Sequence, residues 1–300
     1  MHIKMPVGHA MPKILFVFLI ALLLPLASPS VAGDTFRNEF LGASDAALDN
    51  PHDIKLSPDG EHLFVSDVDN NRVEVLDAET LRLVDHFDSD HQGGTHDVDF
   101  DKAGRLYVAD THNGRVTIYE ISGTRGRLVG ALSERIRGPG RRAGASQRPH
   151  LCLRRRVSGK LVVYEDGKVV GEMKGLSSPH DVGATPEGDI WLADAGKDRM
   201  LLLTPGLQII KELSGSRYKF NGPHYQDIMP DGTLIVADKN SHTVKFIHTD
   251  GTLLQVIGTG WPEKGPGRFT TPGGVELRGE PLGISDFGNA RIVKYRSTRN

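Results

Sequence analysis

Four histidines recur at one position of a repeated segment: His52, His96, His180 and His224 each follow a Pro or Thr that opens a short apolar run. Neutral imidazole is a common ligand for a divalent metal such as zinc, and three imidazoles leave a further position for water or substrate. Four imidazoles brought to one place would make such a centre. Asp53, Asp97 and Asp181 follow three of them and could orient the rings as hydrogen-bond partners. In the fourth repeat Tyr225 takes the Asp position, which sets a phenol beside the imidazoles. The same recurrence has a plainer explanation, in which His suits a turn and duplication copies it.

The elements that would carry these residues are legible from self-comparison. PHDIKLSPDGEHLFVSDVDNNRVEVLD from Pro51, THDVDFDKAGRLYVADTHNGRVTIYE from Thr95, PHDVGATPEGDIWLADAGKDRMLLLT from Pro179, PHYQDIMPDGTLIVADKNSHTVKFIH from Pro223 and PGGVELRGEPLGISDFGNARIVKYRS from Pro272 align almost without gaps. Each reads as a strand, a turn, a strand ending in Asp, a second turn and a third strand. Asp59-Gly60, Glu187-Gly188 and Asp231-Gly232 supply the positive φ of tight hairpins. Asp67, Asp110, Asp194, Asp238 and Asp286 end the second strand, where a carboxylate is expected to accept N–H groups of the following turn. LVDHF at 83–87 and LLQVIG at 253–258 read as outer fourth strands. Four antiparallel strands per unit make a β-propeller blade, whose equivalent positions form rings about one axis. The histidines then stand where the innermost strands begin, at the channel mouth, in the order His, His, Gly, His, His, Gly, with Gly140 and Gly273 completing the ring.

YVADTHNGRV at 107–116, IVADKNSHTV at 235–244, ISDFGNARIVKY at 284–295 and the approach GTGWPEKGPGRFTTPGGV at 258–275 resemble the NHL-repeat family of β-propellers. The resemblance implies an all-β, six-bladed β-propeller of NHL type spanning 33–300 as one domain. The last repeat has no room for a fourth strand, and FRNEFLG at 36–42 resembles the outer strands, so the propeller is expected to be closed by an N-terminal strand. Among secreted propellers the chain is similar to the peptidyl-hydroxyglycine amidating lyases. That similarity implies His52, His96, His180 and His224 as zinc ligands and Tyr225 as a general base, although the essential arginine of those enzymes has no counterpart that can be placed here. Lactonase-type propellers use a Glu, Asn and Asp calcium site instead. Asn70, Asn71, Asn113 and Asn240 fall in strand-connecting turns with no matching acidic cluster, and no Ser-His-Asp, Walker or CxxC signature is present.

The repeat spacing also exposes a break. From His52 to His96 is 44 residues, a further 44 reaches Gly140, and 40 more reaches His180. The third blade, about 138–176, thus contains GRRAGASQRPHLCLRRR at 140–156, part of a span with eight arginines between Arg135 and Arg156. Read literally, that run is a basic loop of the kind that contacts phosphates, but it has no stacking aromatic and would leave two open sheet edges inside the ring. Codons exist for it that, read one nucleotide later, spell GVALAPHNGHIYVCDG, a complete pair of blade strands leading into VSGKLVVY. The segment 140–156 is therefore expected to be a frameshifted stretch flanked by compensating insertions or deletions. Without those arginines the chain carries 28 basic against 38 acidic residues, and no nucleic-acid partner is expected.

Lys4 and Lys13 precede ILFVFLIALLLPLA, and Ser30, Val31 and Ala32 supply small residues before Gly33. This is the pattern of a signal peptide over 1–32, and Pro25 and Pro29 end the apolar run too early for a spanning helix. A secreted or periplasmic location follows as an expectation, with no membrane span after cleavage. The single cysteine, Cys152, allows no internal disulfide, so stability must come from the core. The expected function is that of an exported monomer whose channel mouth binds a peptide, a small molecule or a cell-envelope protein. The alternative is a metal-dependent lyase or hydrolase with a His-ligated zinc or another divalent ion.

Overall fold

The computed structural model describes residues 36–132, 150–154, 159–165, 168–277 and 281–299. The signal-peptide segment 1–32 and most of the arginine-rich run lie outside these residues. Asp34–Asn300 forms one compact unit. Among the described residues the helical pieces are three-residue 3-10 turns, and none is long and apolar enough to cross a membrane.

An outlying first strand, β1 (Phe36–Ala43), precedes the repeats. Blade one is β2 (Pro51–Leu56), β3 (His62–Asp67), β4 (Arg72–Asp77) and β5 (Leu83–Phe87). Blade two is β6 (Thr95–Phe100), β7 (Arg105–Asp110), β8 (Arg115–Ser122) and β9 (Arg125–Leu132). In third place stand β10 (His150–Arg154), β11 (Lys160–Glu165) and β12 (Lys168–Met173). Blade four is β13 (Pro179–Ala184), β14 (Ile190–Asp194), β15 (Arg199–Leu203) and β16 (Ile209–Leu213). Blade five is β17 (Pro223–Ile228), β18 (Leu234–Asp238), β19 (Thr243–Ile247) and β20 (Leu253–Ile257). The last blade holds β21 (Pro272–Glu276), β22 (Leu282–Asp286) and β23 (Arg291–Arg299).

All strand pairs are antiparallel, and β1 adds to the last blade beside β23, with Phe40 opposite Tyr295. The first strand thus covers the edge that the last repeat leaves open. Against the six blades expected, the described residues form five four-stranded blades, and the third place, where the disruption was expected, holds a three-stranded sheet in the order β10-β11-β12. Residues 140–149, where the repeat pattern places an inner strand, lie outside the described residues, and the sequence there has none of the apolar alternation that opens the other blades.

The second strands LFVSD, LYVAD, IWLAD, LIVAD and LGISD are almost wholly buried, and they pack blade against blade through Phe64, Val108, Trp191, Ile235 and Ile284. The ring closes where β21 meets β2. There Lys55 Nζ donates to Glu276 Oε2 at 2.7 Å, both side chains being buried, and Leu56 N–H donates to Glu276 Oε1 at 3.2 Å. The approach is close enough to require glycine: a Cβ on Gly273 would stand 2.6 Å from the His52 carbonyl oxygen, and one on Gly274 would stand 2.7 Å from Asp53 Oδ1. A side chain at Gly273 would meet the His52 carbonyl, so this repeat carries no imidazole there.

Candidate functional site

The start of each inner strand is fixed by the Asp that ends its neighbour. Asp67, Asp110, Asp194, Asp238 and Asp286 are all fully buried, and each accepts a backbone N–H from two residues before the inner strand. The donors are Asp49, Gly93, Ser177, Asn221 and Thr270, at 2.6–2.9 Å. These backbone donors come from the preceding segment, not from the following turn as the repeat pattern suggested. The turn contributes side chains instead: Asn70, Asn113 and Asn289 donate to the same carboxylates. Each carboxylate also holds a cation on the third strand, Arg72, Arg115, Arg199, Lys245 or Arg291. Tied at both ends, Pro51, Thr95, Pro179, Pro223 and Pro272 sit opposite these aspartates, so the residue after each begins its inner strand at a common height.

The four histidines meet there. Neighbouring rings are in contact, with centroids 3.9 Å apart for His52 and His96 and 3.4 Å for His180 and His224. Across the axis the separations are 5.9 Å for His52 and His180, 6.2 Å for His52 and His224, and 5.6 Å for His96 and His180. Blades one and four face each other in the ring, and His52 and His180 show that the channel between them is narrow. His52, His180 and His224 are buried, and the His96 side chain keeps 15% of its exposure.

Tyr225 lies one residue deeper, fully buried, with its ring 4.8 Å from His180 and 5.5 Å from His52. Its hydroxyl crosses the axis from blade five, stands 2.7 Å from His52 Nδ1, and donates to Asp97 Oδ1 on blade two. Asp97 in turn lies 3.0 Å from His96 Nδ1. With the Tyr225 hydroxyl donating to Asp97, these contacts are satisfied by a tautomer in which Nδ1 of His52 and of His96 carries the proton. Of the three expected orienting aspartates, Asp97 contacts its own histidine. Asp53 and Asp181 are used between blades, accepting the N–H groups of Val98 at 3.3 Å and Gln226 at 2.9 Å.

Of the four histidines expected as ligands, His52 and His96 fall with Asp97 in one group of possible metal donors, and His180 and His224 stand outside that group. One ligand atom each from His52, His96 and Asp97 lies within 4.8 Å of the others. Zn–N bonds of 2.0–2.1 Å place the centroids of two imidazoles on one tetrahedral ion roughly 5 Å apart. The cross-axis pairs are near that spacing and the neighbouring pairs are closer, so binding would require the touching rings to rotate apart. Repeat comparison singled out His52, His96, Asp97, His180, His224 and Tyr225. It missed Phe287, whose ring stacks on His52 at 5.4 Å, and Lys239, whose Nζ is 4.7 Å from the Phe287 centroid. Both are the residue that follows the repeat Asp, and their departure from the small residues found there in other blades was the available signal.

This architecture defines the chain as a β-propeller, and residues 96–119 match the family model described as the NHL repeat. No curated protein sequence matches the chain significantly. Among solved structures, the chain is similar to virginiamycin B lyase from Staphylococcus aureus at 11% identity and a TM-score of 0.60, covering 87% of this chain and 99% of that one. It is similar also to an auxiliary nutrient binding protein from Bacteroides ovatus at 16% identity and a TM-score of 0.66, covering 88% and 77%. The β-propeller domain of Myceliophteria thermophila Cps50 gives 11% identity and a TM-score of 0.63 over 87% and 100%. At these identities the likeness is one of fold.

Proposed function

We propose that the protein is an exported propeller that takes up a small-molecule or peptide ligand at its channel mouth and acts on it as a metal-dependent lyase or hydrolase. The observation that carries this reading is the convergence of His52, His96 and Asp97 donor atoms within 4.8 Å of one another, with the His180 and His224 rings completing the cluster. His52 and His96 would each supply one ring nitrogen, and His180 or His224 would supply the third. A divalent ion held this way acts as a Lewis acid and lowers the pKa of bound water. Tyr225 is the general base of the reading: its hydroxyl proton passes to Asp97 Oδ1 as the phenol oxygen takes a proton from the ligand. The test is turnover of a hydroxyglycine-extended peptide by zinc-loaded protein, abolished by chelation. Capture of a cell-envelope protein by metal-free material, without turnover, would favour a pure binding module, a role that the fold also supports.

The same proposal includes a sixth complete blade. In the shifted reading, IYVCD falls on 150–154, the residues of β10, and its Asp stands fifteen residues after Pro139, as Asp194 stands fifteen after Pro179. β10 pairs with β11 over His150↔Tyr164 to Arg154↔Lys160, the place a second strand takes in other blades. That agreement supports a frameshifted inner strand at 140–149 in place of a basic loop.

A further inference from the structure

The rim of the mouth carries opposite charge on its two sides. Loops that lead into the inner strands and turns that follow the second-strand aspartates share one face, because each of those aspartates is paired with the opening residue of an inner strand. Over blades four to six these segments are 195–198, 214–222, 239–242, 258–271 and 287–290, and they hold Lys197, Arg217, Lys219, Lys239, Lys264 and Arg268 against Asp198 and Glu263. Over blades one and two they are 44–50, 68–71, 88–94 and 111–114, with five aspartates and no Lys or Arg. Glu263 and Arg268 are paired at 3.1 Å, whereas Arg217, Lys219 and Lys264 are exposed and enter no ion pair among the described residues.

The basic side is one continuous ridge. Gly222 N–H donates to Asp198 Oδ1 at 2.7 Å, Ser241 Oγ to the Lys219 carbonyl at 3.4 Å, Thr271 N–H to His242 Nδ1 at 3.0 Å and Asn289 Nδ2 to the Glu263 carbonyl at 2.9 Å, so each segment is tied to the next. Within the ridge Trp261 is 72% exposed, while the other tryptophan of the chain, Trp191, is buried. The loop that presents it is fastened down: Phe269 is fully buried, Gly267 N–H donates to the Tyr295 hydroxyl at 2.7 Å, and Arg291 donates to the Gly265 and Arg268 carbonyls at 3.1 Å. A large ring held out from a fixed backbone loses little freedom when a partner covers it, and Trp and Arg are residues on which interfaces most depend.

We infer that the rim over blades four to six is a docking surface for a short acidic segment of a partner chain, which lays an apolar or aromatic side chain on Trp261. Charge complementarity sets the sign of the partner. The opposite side of the rim limits its extent: a long polyanion or an anionic bilayer laid over this face would meet the exposed Asp45, Asp49, Asp69 and Asp90, whereas a short segment stays on the basic side. Docking there needs neither the metal ion nor turnover.

Titration calorimetry on the metal-free full chain tests this with the end-blocked peptide Glu-Glu-Asp-Phe-Asp-Glu-Glu and its neutral counterpart Gln-Gln-Asn-Phe-Asn-Gln-Gln. The acidic peptide should bind at least about tenfold tighter than the neutral one, and the advantage should vanish at an ionic strength of about 1 M. A Lys219→Glu, Lys264→Glu double variant should lose about tenfold in affinity for the acidic peptide, and Trp261→Ala a similar factor, while an Asp45→Asn, Asp90→Asn double variant should bind it no more weakly than the parent. Because Trp191 is buried, a change in tryptophan emission on binding should come from Trp261 and disappear in Trp261→Ala. Zinc uptake measured separately should be the same in Trp261→Ala as in the parent, so loss of the metal reading with peptide binding intact leaves the docking surface standing. Equal or absent binding of the two peptides, an advantage that survives Lys219→Glu with Lys264→Glu, or tighter binding of phosphatidylglycerol vesicles or of oligothymidylate than of the acidic peptide would overturn the inference.

Discussion

The Tyr225 hydroxyl reaches across the propeller axis to the carboxylate of Asp97, joining blade five to blade two through a side-chain hydrogen bond in the buried channel. The same oxygen lies 2.7 Å from His52 Nδ1, so one phenol connects His52, on which Phe287 stacks, with the carboxylate beside His96. Replacement by Phe keeps the packing and removes only this link. Tyr225→Phe should fold normally, lose turnover and bind zinc about tenfold more weakly, as is usual when a partner that orients a metal-bound imidazole is lost. Competition against a chromogenic chelator measures this, and unchanged zinc affinity would show that Tyr225 does not orient His52.

Glu74, on the third strand of blade one, is fully buried beside Arg72, and burial raises its carboxyl to about 7 against the attraction of that guanidinium. A raised carboxyl favours the protonated folded state, so its contribution is complete below the ordinary value of 4.5 and is lost as pH rises through about 7. The shift corresponds to about 3 kcal/mol. Urea midpoints should fall from pH 5 to pH 8, and Glu74→Gln should flatten that slope. An equal slope in both proteins would contradict the assignment.

Gly273 is where the last blade presses on the first. With a Cβ due 2.6 Å from the His52 carbonyl oxygen, Gly273→Ala should destabilise the fold by about 1–3 kcal/mol and disturb His52 first. Thermal melting measures the loss, and a melting temperature equal to that of the parent would mean that the ring closes less tightly than described.

The reading frame across Gly138 to Lys160 is open to direct sequencing. The gene should spell GVALAPHNGHIYVCDG or a close variant one nucleotide out of frame, and a protein carrying that peptide should melt higher than the written chain. Codons that spell no strand pattern in either alternative frame would leave the arginines as a basic loop.

Much of the frame was legible because repeats state their own boundaries. The inner strands start at Pro51, Thr95, Pro179, Pro223 and Pro272, the residues that open the repeats, and Leu83–Phe87 is an outer strand. Convergence of His52, His96, His180 and His224 also followed, since equivalent positions on a ring must face one axis. What repeats cannot state is how far a side chain reaches across that axis. Tyr225 meeting Asp97 depends on channel width, and Asp53 and Asp181 serve neighbouring blades although their sequence context matches that of Asp97. Nor does repetition distinguish a copied residue from one that a tight approach excludes, as at Gly273.

The most direct measurement is the metal content of the purified protein together with that of a His52→Ala, His96→Ala double variant. Close to one zinc or other divalent transition ion per chain is expected, lost in the double variant while the far-ultraviolet circular dichroism of the β-sheets is retained. Protein that takes up no such ion when it is supplied in stoichiometric amount, or a double variant that binds it as well as the parent, would show that the histidines at the channel mouth hold no metal.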